Sequence, residues 1–386
     1  CEGLVGSEMC IRDRFKIKLF FCLIIYNSFS AQELTKLSIE QGSNANSNWE
    51  TYYSYNYISG IARGDSNIFF SSTNSIFSLY SVFFQDEKYD SLDGLSGDEI
   101  SVFYYSLDKN LITIGYKNGF MQIINLSSGD IINVYDILNK PTIPPTNKKI
   151  NYFTEKNGQL FISTDYGISV YDLNAFEFGD TFYIGEFAGL LNITNTIFDE
   201  NYIYASSSNG GGIRRAELNS NLIDYSNWEE IYSGSFNGML FSNDVILFYD
   251  NQNIYSLNNG QVSTVLSLNT DILNVSLDDS KIIVTAQNQC LIYNDQFDEL
   301  LFSVDSADFS TNFNNAIIDG NDIYIGTSSK GVLTIDNFNS SQSSFLLPNG
   351  PLENNIFSVE SLNNQTWVSY GDYTEYCLLY TSDAAD

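Results

Sequence analysis

The sequence contains no histidine and few basic residues. Without histidine the chain can build neither a His-based catalytic triad nor a His-ligated metal site. Only 17 Lys and Arg face 47 Asp and Glu, which gives a formal net charge of -30 at pH 7. Such an excess of negative charge repels phosphate backbones and anionic lipids, so we predict no nucleic-acid partner. The classes of function that remain possible are carboxylate-based catalysis, calcium binding and a purely non-catalytic role.

The two ends of the chain do not look like protein-coding sequence. Residues 1–14 and 377–386 resemble translated adapter DNA from a sequencing library, read in opposite directions. We interpret both segments as cloning scars and exclude them from the fold. We therefore expect the natural chain to continue past Tyr376.

Residues 15–30 have the pattern of a secretory signal peptide. Lys16 and Lys18 form a basic start, residues 19–26 are apolar, and small residues precede Ala31, the predicted new N-terminus. The apolar run is about eight residues long, too short to cross a bilayer. The sequence thus predicts an exported protein.

A repeat dominates the remaining sequence. A short apolar run, a break of small or polar residues and a second apolar run recur with a period of roughly 43 residues, as in a propeller blade. The first apolar runs begin at positions 68, 111, 160, 203, 246, 282, 323 and 366. β-branched and aromatic residues fill these runs, and Gly, Asn, Asp and Ser separate them, which is typical of β-hairpins.

These units predict an all-β fold, a seven-bladed β-propeller of four-stranded blades over residues 31–348. Residues 349–376 are predicted to start a second propeller. A strand at residues 51–57 is expected to complete the last blade, and a single ring of eight blades is the main alternative. A β-solenoid fits less well, because its repeats are shorter.

Arg214 and Arg215 are the candidate ligand-binding residues, since they form a pair in a chain with few cations. Two guanidinium groups can hold a phosphate or carboxylate in a bidentate manner, so an anionic glycan or lipid group is the candidate ligand. The alternative interpretation is a surface strand whose arginines pair with neighbouring acids.

Several acidic groups could carry chemistry, but each also has a simpler structural interpretation. Oxygen ligands for calcium are available at Asp278, Asp279 and residues 319–322, but Asn, Asp and Gly at such positions also form ordinary turns. A glycosidase-type carboxylate pair would be Asp295 with Asp298, or Glu229 with Glu230. In so acidic a chain such pairs arise by chance. We predict no catalytic residue, no metal and no cofactor.

Tryptophan and cysteine give two further interpretations. Trp49, Trp228 and Trp367 are candidates for sugar stacking, with packing between blades as the alternative. Cys290 is the only cysteine left once the scars and the signal peptide are removed, so the exported part has no intramolecular disulfide. It lies within a predicted strand, which favours a buried, inert thiol.

Segments 48–55, 95–100, 114–119, 167–172 and 203–205 resemble the PorZ family, components of the Bacteroidetes type IX secretion system. The resemblance covers roughly residues 47–376. It implies two seven-bladed propellers and a small C-terminal β-domain. Segments 323–331 and 352–371 also resemble the propeller repeats of periplasmic sensor kinases.

The PorZ resemblance implies a non-enzymatic scaffold at the outer-membrane cell surface, with the periplasm as the alternative location. Its implied partners are the sortase-like peptidase PorU and outer-membrane proteins of the attachment complex. It also implies assistance in passing anionic lipopolysaccharide to secreted cargo through a C-terminal domain that this chain lacks. The alternative function is the ligand-sensing ectodomain of a two-component regulator.

Overall fold

A computed structural model describes residues 51–80, 87–258, 260–362 and 365–371 of the chain. The predicted adapter segments, the signal peptide and Trp49 lie outside these residues. Alternating apolar and polar residues favour β-strands, and the regular structure of the described chain is almost entirely antiparallel strand, connected by turns and loops. The one α-helix in this part of the chain, α1, is a single turn at Asp136–Asn139. None of the described helices is long and apolar enough to cross a membrane.

Seven four-stranded antiparallel sheets follow one another along the chain, each built from consecutive strands. Blades 1 to 4 comprise β1 Gly60–Arg63, β2 Asn67–Ser71, β3 Ile76–Tyr80 and β4 Lys88–Tyr89; β5 Ile100–Ser106, β6 Leu111–Tyr116, β7 Met121–Asn125 and β8 Ile131–Val134; β9 Ile150–Lys156, β10 Gln159–Thr164, β11 Gly167–Asp172 and β12 Glu177–Phe182; β13 Asn195–Phe198, β14 Tyr202–Ser206, β15 Ile213–Glu217 and β16 Glu229–Tyr232.

Blades 5 to 7 complete the ring, and a separate hairpin follows them. These blades comprise β17 Gly238–Ser242, β18 Val245–Tyr249, β19 Asn253–Asn258 and β20 Gln261–Ser267; β21 Ile272–Asp278, β22 Lys281–Ala286, β23 Gln289–Asn294 and β24 Leu300–Asp305; β25 Phe313–Asp319, β26 Asp322–Thr327, β27 Val332–Ile335 and β28 Ser343–Leu346. The hairpin consists of β29 Ile356–Leu362 and β30 Gln365–Tyr370. The predicted seven-bladed propeller of four-stranded blades is confirmed.

The first strand of each blade lies innermost and contacts the first strands of both neighbours, and β25 contacts β1 to close the circle. The alternative of an eight-bladed ring is therefore wrong. The predicted strand at residues 51–57 is also wrong, because blade 7 takes all four of its strands from β25–β28. The 51–57 segment packs beside blade 7 instead, where the carbonyl of Asn56 accepts a hydrogen bond of 2.8 Å from the Gly331 amide.

The hydrophobic core is divided among the contacts between blades. Seven buried apolar clusters occur in the described chain, and each takes its residues from two neighbouring blades. The cluster between blades 7 and 1 contains Ile58, Phe70, Phe77 and Val332. Burial of apolar surface contributes about 25 cal/mol per Å², so each blade depends on its neighbours for most of its stability.

One buried residue opens every blade, just before or at the start of its first strand. We call these residues the lead residues: Ile58, Ile100, Ile150, Ile193, Phe236, Ile272 and Phe313. We call the turn between the second and third strands of a blade its central turn. Six of the lead residues also donate a backbone hydrogen bond to the central turn of the preceding blade; for example, the Ile58 amide donates to the Thr327 carbonyl at 2.9 Å. In these six blades the lead residue therefore fastens the blade to the one before it.

The residue after the lead residue often adds a side-chain hydrogen bond to the next blade. Ser101 donates to the Ile150 carbonyl at 2.7 Å, and Asn151 donates to the Ile193 carbonyl at 2.9 Å. Thr194 and Asn314 make the same contact to Phe236 and Ile58, at 3.0 and 2.9 Å. In each case the acceptor is the lead carbonyl of the following blade.

Hairpin β29–β30 repeats the blade pattern outside the ring. Ile356 stands in the lead position of this eighth unit, but it is 40% exposed, whereas Ile58 is fully buried. The place after blade 7 is taken by Ile58. That residues 349–376 begin a second propeller stays a prediction.

The two competing lead residues allow a matched test. Ile58→Ala leaves a cavity between blades 7 and 1, and should lower the free energy of unfolding by about 2–5 kcal/mol. Ile356→Ala makes the same change at an exposed site, and should change it by no more than about 0.5 kcal/mol. Urea unfolding followed by circular dichroism measures both. Equal losses in the two variants would contradict the seven-bladed closure.

Candidate functional site

The two candidate arginines lie on β15, the third strand of blade 4. Successive residues of a strand point to opposite faces, so Arg214 and Arg215 do not share one binding surface. The side chain of Arg214 is only 14% exposed. Its Nη2 donates to Glu230 Oε2 at 3.3 Å, and its Nη1 donates to the Ile184 carbonyl at 3.3 Å.

On the opposite face, Arg215 forms an ion pair with Glu229, and its guanidinium carbon lies 4.8 Å from the centre of the Tyr202 ring. Glu229 and Glu230 are thus each paired with an arginine on their own face of the sheet. They do not face a common substrate site. A role for the two arginines in binding an anionic ligand stays a prediction, and any anion would compete with these carboxylates.

The proposed calcium ligands surround an arginine that the sequence interpretation did not single out. Arg63 ends β1 of blade 1, and its Nη1 lies 2.9 Å from Asp279 Oδ1 and 3.4 Å from Asp278 Oδ1. Its Nη2 lies 2.9 Å from Asp319 Oδ1. One guanidinium therefore links the turns of blades 6 and 7 to blade 1. We call this arrangement the Arg63 clasp.

Backbone contacts complete the Arg63 clasp. Asp278 Oδ2 accepts a hydrogen bond of 2.9 Å from the Ile318 amide, and Asp279 Oδ2 accepts one of 3.2 Å from the Gly320 amide. The hydrogen bond from Arg63 lowers the pKa of Asp279, whereas burial raises the pKa of Asp278. The clasp occupies these carboxylates with contacts between blades.

The other carboxylate pair lies in the turn between β23 and β24. Asp298 Oδ1 accepts a hydrogen bond of 2.6 Å from the Asn294 side chain, and the carbonyl of Asp295 accepts one of 3.0 Å from Ser242. Asp298 thus stabilises its own turn, and the Asp295 carbonyl links that turn to blade 5. The geometry gives no indication of an acid and a base placed across a substrate bond.

Trp228 and Cys290 belong to the core. Trp228 packs in the cluster between blades 3 and 4, and its Nε1 donates to the Leu222 carbonyl at 3.0 Å. Of the two interpretations, sugar stacking and packing between blades, Trp228 therefore fits packing between blades. Trp367 on β30 is 61% exposed. Cys290 is buried as predicted, and burial raises the pKa of its thiol to about 12, so the reactive thiolate is scarce at neutral pH.

A polar cleft of about 600 Å³ opens between blades 4 and 5, on the face that carries the central turns of the blades. Its lining is entirely polar: Ser208, Ser235, Asn237, Asp250, Asn251, Gln252, Asn253 and Asp271. At the cleft the residue after the lead residue Phe236, Asn237, donates to Asn251 Oδ1 at 2.8 Å and not to the next lead carbonyl.

The cleft is suited to hydrogen bonding, and the carboxylate of Asp250 is held by its own turn. Asp250 accepts hydrogen bonds from the Gln252 and Asn253 amides at 2.8 and 2.7 Å and from the Tyr255 hydroxyl at 2.7 Å. Burial acts to raise the pKa of Asp250, but these hydrogen bonds outweigh burial and lower it. This carboxylate is therefore ionised and committed to its own turn.

Comparison with protein families gives one match. Residues 68–229 match the family described as "TSS9, PorZ, N-terminal beta-propeller domain". Over these residues the chain is PorZ-like, which confirms the resemblance seen in the sequence. A comparison with curated proteins gives no match.

Solved structures share the fold at low sequence identity. PorZ of Porphyromonas gingivalis, described as an essential bacterial surface component of the type-IX secretion system, superposes with a TM-score of 0.68 at 16% identity. The match covers 84% of this chain and 43% of PorZ, so this chain spans less than half of that protein.

Two other structures are similar in fold. The extracellular domain of a protein described as a hybrid two component system, from B. thetaiotaomicron, gives a TM-score of 0.57 at 16% identity, over 82% of this chain and 44% of the other. The computationally designed Ika8 protein gives 0.52 at 11% identity, over 81% and 93%. These similarities concern the fold alone.

The Arg63 clasp predicts a pH-dependent contribution to stability. Arg63→Ala should lower the free energy of unfolding by about 1–2 kcal/mol at neutral pH, since it leaves the half-buried Asp278 without its cation. Lys117→Ala removes an exposed pair with Glu99 and should cost no more than about 0.5 kcal/mol.

The sign of the pH effect follows from Asp279. The pKa of Asp279 is lowered in the folded chain. Its contribution to the free energy of unfolding is therefore present at pH values above the ordinary pKa of aspartate, and is lost as the pH falls through the lowered pKa. The difference in the free energy of unfolding between wild type and Arg63→Ala should therefore become smaller below about pH 4. Urea unfolding at pH 7 and pH 3 measures this difference; an undiminished difference at pH 3 would count against the clasp.

Proposed function

We propose that this chain is part of a surface component of a type IX secretion system and acts as a non-enzymatic scaffold. The observation that carries the proposal is the match of residues 68–229 to the PorZ N-terminal propeller. The similarity of the whole ring to a PorZ structure supports it. In this role the propeller is a rigid disc that positions partner proteins.

The physical features of the described ring support a role in positioning. Contacts between blades use the buried lead residues, the Arg63 clasp and most of the apolar side chains. Three of the candidate catalytic carboxylates have structural partners: Glu229 and Glu230 form ion pairs, and Asp298 accepts a hydrogen bond within its turn. What remains on the surface is an acidic, hydrogen-bonding exterior, which is suited to binding other proteins.

The finer parts of the proposal come from the family resemblance. The chain would be exported by its signal peptide and held at the outer-membrane surface. There it would work beside a PorU-like sortase and outer-membrane proteins of the attachment complex. It would assist cargo processing and the attachment of anionic lipopolysaccharide to cargo, without carrying out the transfer itself.

A second candidate function is the sensing ectodomain of a two-component regulator. The observation that favours it is the fold similarity to the B. thetaiotaomicron extracellular domain. In that role the polar cleft between blades 4 and 5 would hold the ligand. The family match favours the secretion component over the sensor.

Deletion of the gene in its host distinguishes the two functions. A secretion scaffold predicts that type IX cargo is lost from the cell surface and accumulates in unprocessed form, and that the wild-type gene restores its display. Immunoblots of surface-washed and periplasmic fractions measure this. Normal cargo display, together with a lost transcriptional response to a glycan, would contradict the scaffold and support the sensor.

A further inference from the structure

A second groove, of about 400 Å³, lies between the outer strands of blades 2 and 3. Its lining combines aromatic, aliphatic and acidic side chains: Ile132, Asn133, Val134, Asp136, Tyr171, Phe176, Glu177 and Phe178. No cation lines it. We call it the blade 2–3 groove.

Aromatic rings form one wall of the groove. Tyr171 and Phe178 face each other on paired strands, with ring centres 5.2 Å apart in an edge-to-face arrangement. Phe176 precedes β12 with a positive φ of 57°, and its amide donates to the Asp172 carbonyl at 2.8 Å. This turn places the Phe176 ring, 37% exposed, at the rim of the groove.

Two carboxylates and a hydroxyl converge on the groove. Asp136 is the first residue of α1, and Glu177 is the first residue of β12. Burial, and then the charges of Asp136 and Glu177, raise the pKa of Tyr171 to about 12, so both carboxylates act on the same hydroxyl. Tyr171 itself is 1% exposed. The groove therefore holds two carboxylates beside aromatic rings, with no Lys or Arg among its lining residues.

Two lysines that contact residues of blade 3, Lys140 and Lys109, have other partners. The ammonium of Lys140 donates to Thr181 Oγ1 at 3.1 Å and lies over the rings of Tyr166 and Tyr183. Lys109 donates to Asn174 Oδ1 at 2.5 Å. Neither lysine forms a salt bridge with the carboxylate of Asp136 or Glu177.

We propose that the blade 2–3 groove binds a lysine or arginine side chain of a partner polypeptide. A cation over aromatic rings and beside carboxylates gains both cation–π and ion-pair energy. Blade 4 shows this chemistry within the chain itself, where the Arg215 guanidinium lies over Tyr202 and pairs with Glu229. In the blade 2–3 groove the rings and carboxylates are present, and the cation is to come from the partner.

The surroundings of the groove favour a basic polypeptide over a small amine. β8 is the outermost strand of blade 2, so its free edge can pair with an extended segment that runs past the groove. The formal net charge of -30 also attracts basic segments at long range. The site adds a partner contact to the scaffold proposed above, but its test does not depend on secretion.

A random heptapeptide phage library panned against the immobilised full chain tests the proposal. Selected peptides should be enriched in Arg and Lys over the naive library. One selected peptide, labelled with a fluorophore, should bind Asp136→Asn/Glu177→Gln about tenfold more weakly than wild type, measured by fluorescence anisotropy. Glu200→Gln/Asp308→Asn makes the same charge change on exposed residues elsewhere, and should leave the affinity unchanged.

Aromatic variants separate the rings from the charge. Phe176→Asn removes the rim ring and suits the positive φ, and should weaken the same peptide by about threefold or more. Thermal melts of all variants establish that they remain folded. Absence of Arg and Lys enrichment would overturn the proposal. So would equal affinity of the two double variants, which would mean that basic peptides bind elsewhere on the acidic surface.

Discussion

Each blade has two apolar faces that only its neighbours can cover, and this constraint organises the whole ring. The seven clusters of the described core all lie between blades. A four-stranded sheet of this kind would expose apolar side chains on both faces if it stood alone. The chain removes these exposed faces only when the last blade covers the first, and this makes the contact between blades 7 and 1 the decisive one.

The contact between blades 7 and 1 depends on the fit of Ile58. A Cβ atom added to Gly326 would lie 2.7 Å from Ile58 Cγ2, so only glycine leaves room for the lead residue. The same relation holds between blades 2 and 3, where a Cβ on Gly115 would lie 2.8 Å from Ile150 Cγ2. The Ile58 amide, the Asn314 side chain and the Arg63 clasp fasten the same junction. Packing, hydrogen bonds and ion pairs thus all stabilise the contact between blades 7 and 1, where the ring closes.

Local features of the fold could be predicted from the sequence, because they depend on residues close together in the chain. Alternation and turn residues such as Lys117, Asn118 and Gly119 define hairpins without reference to distant contacts. The choice between seven and eight blades could not be made in this way. Ile58 and Ile356 occupy the same position of the repeat, and only the packed ring shows which of them is buried.

Most site features escaped the sequence interpretation for the same reason. Arg63 lies more than 200 positions before Asp278, and no local pattern joins them. Arg214 and Arg215 are candidates because they are adjacent in the sequence, but adjacent residues of a strand point to opposite faces of the sheet. The blade 2–3 groove combines Asp136 with Tyr171 and Glu177 across two blades. The period of the repeat indicates which blades are adjacent, but not which side chains meet between them.

Hydrogen exchange at the lead residues tests the closure of the ring most directly. The Ile58 amide donates to blade 7, as the amides of Ile193, Ile272 and Phe313 donate to the blades before them. Mass spectrometry of short overlapping peptides should show the Ile58 amide exchanging as slowly as those three, and the Ile356 amide far faster. Fast exchange at Ile58 with slow exchange at Ile356 would contradict the seven-bladed ring and place the eighth unit inside it.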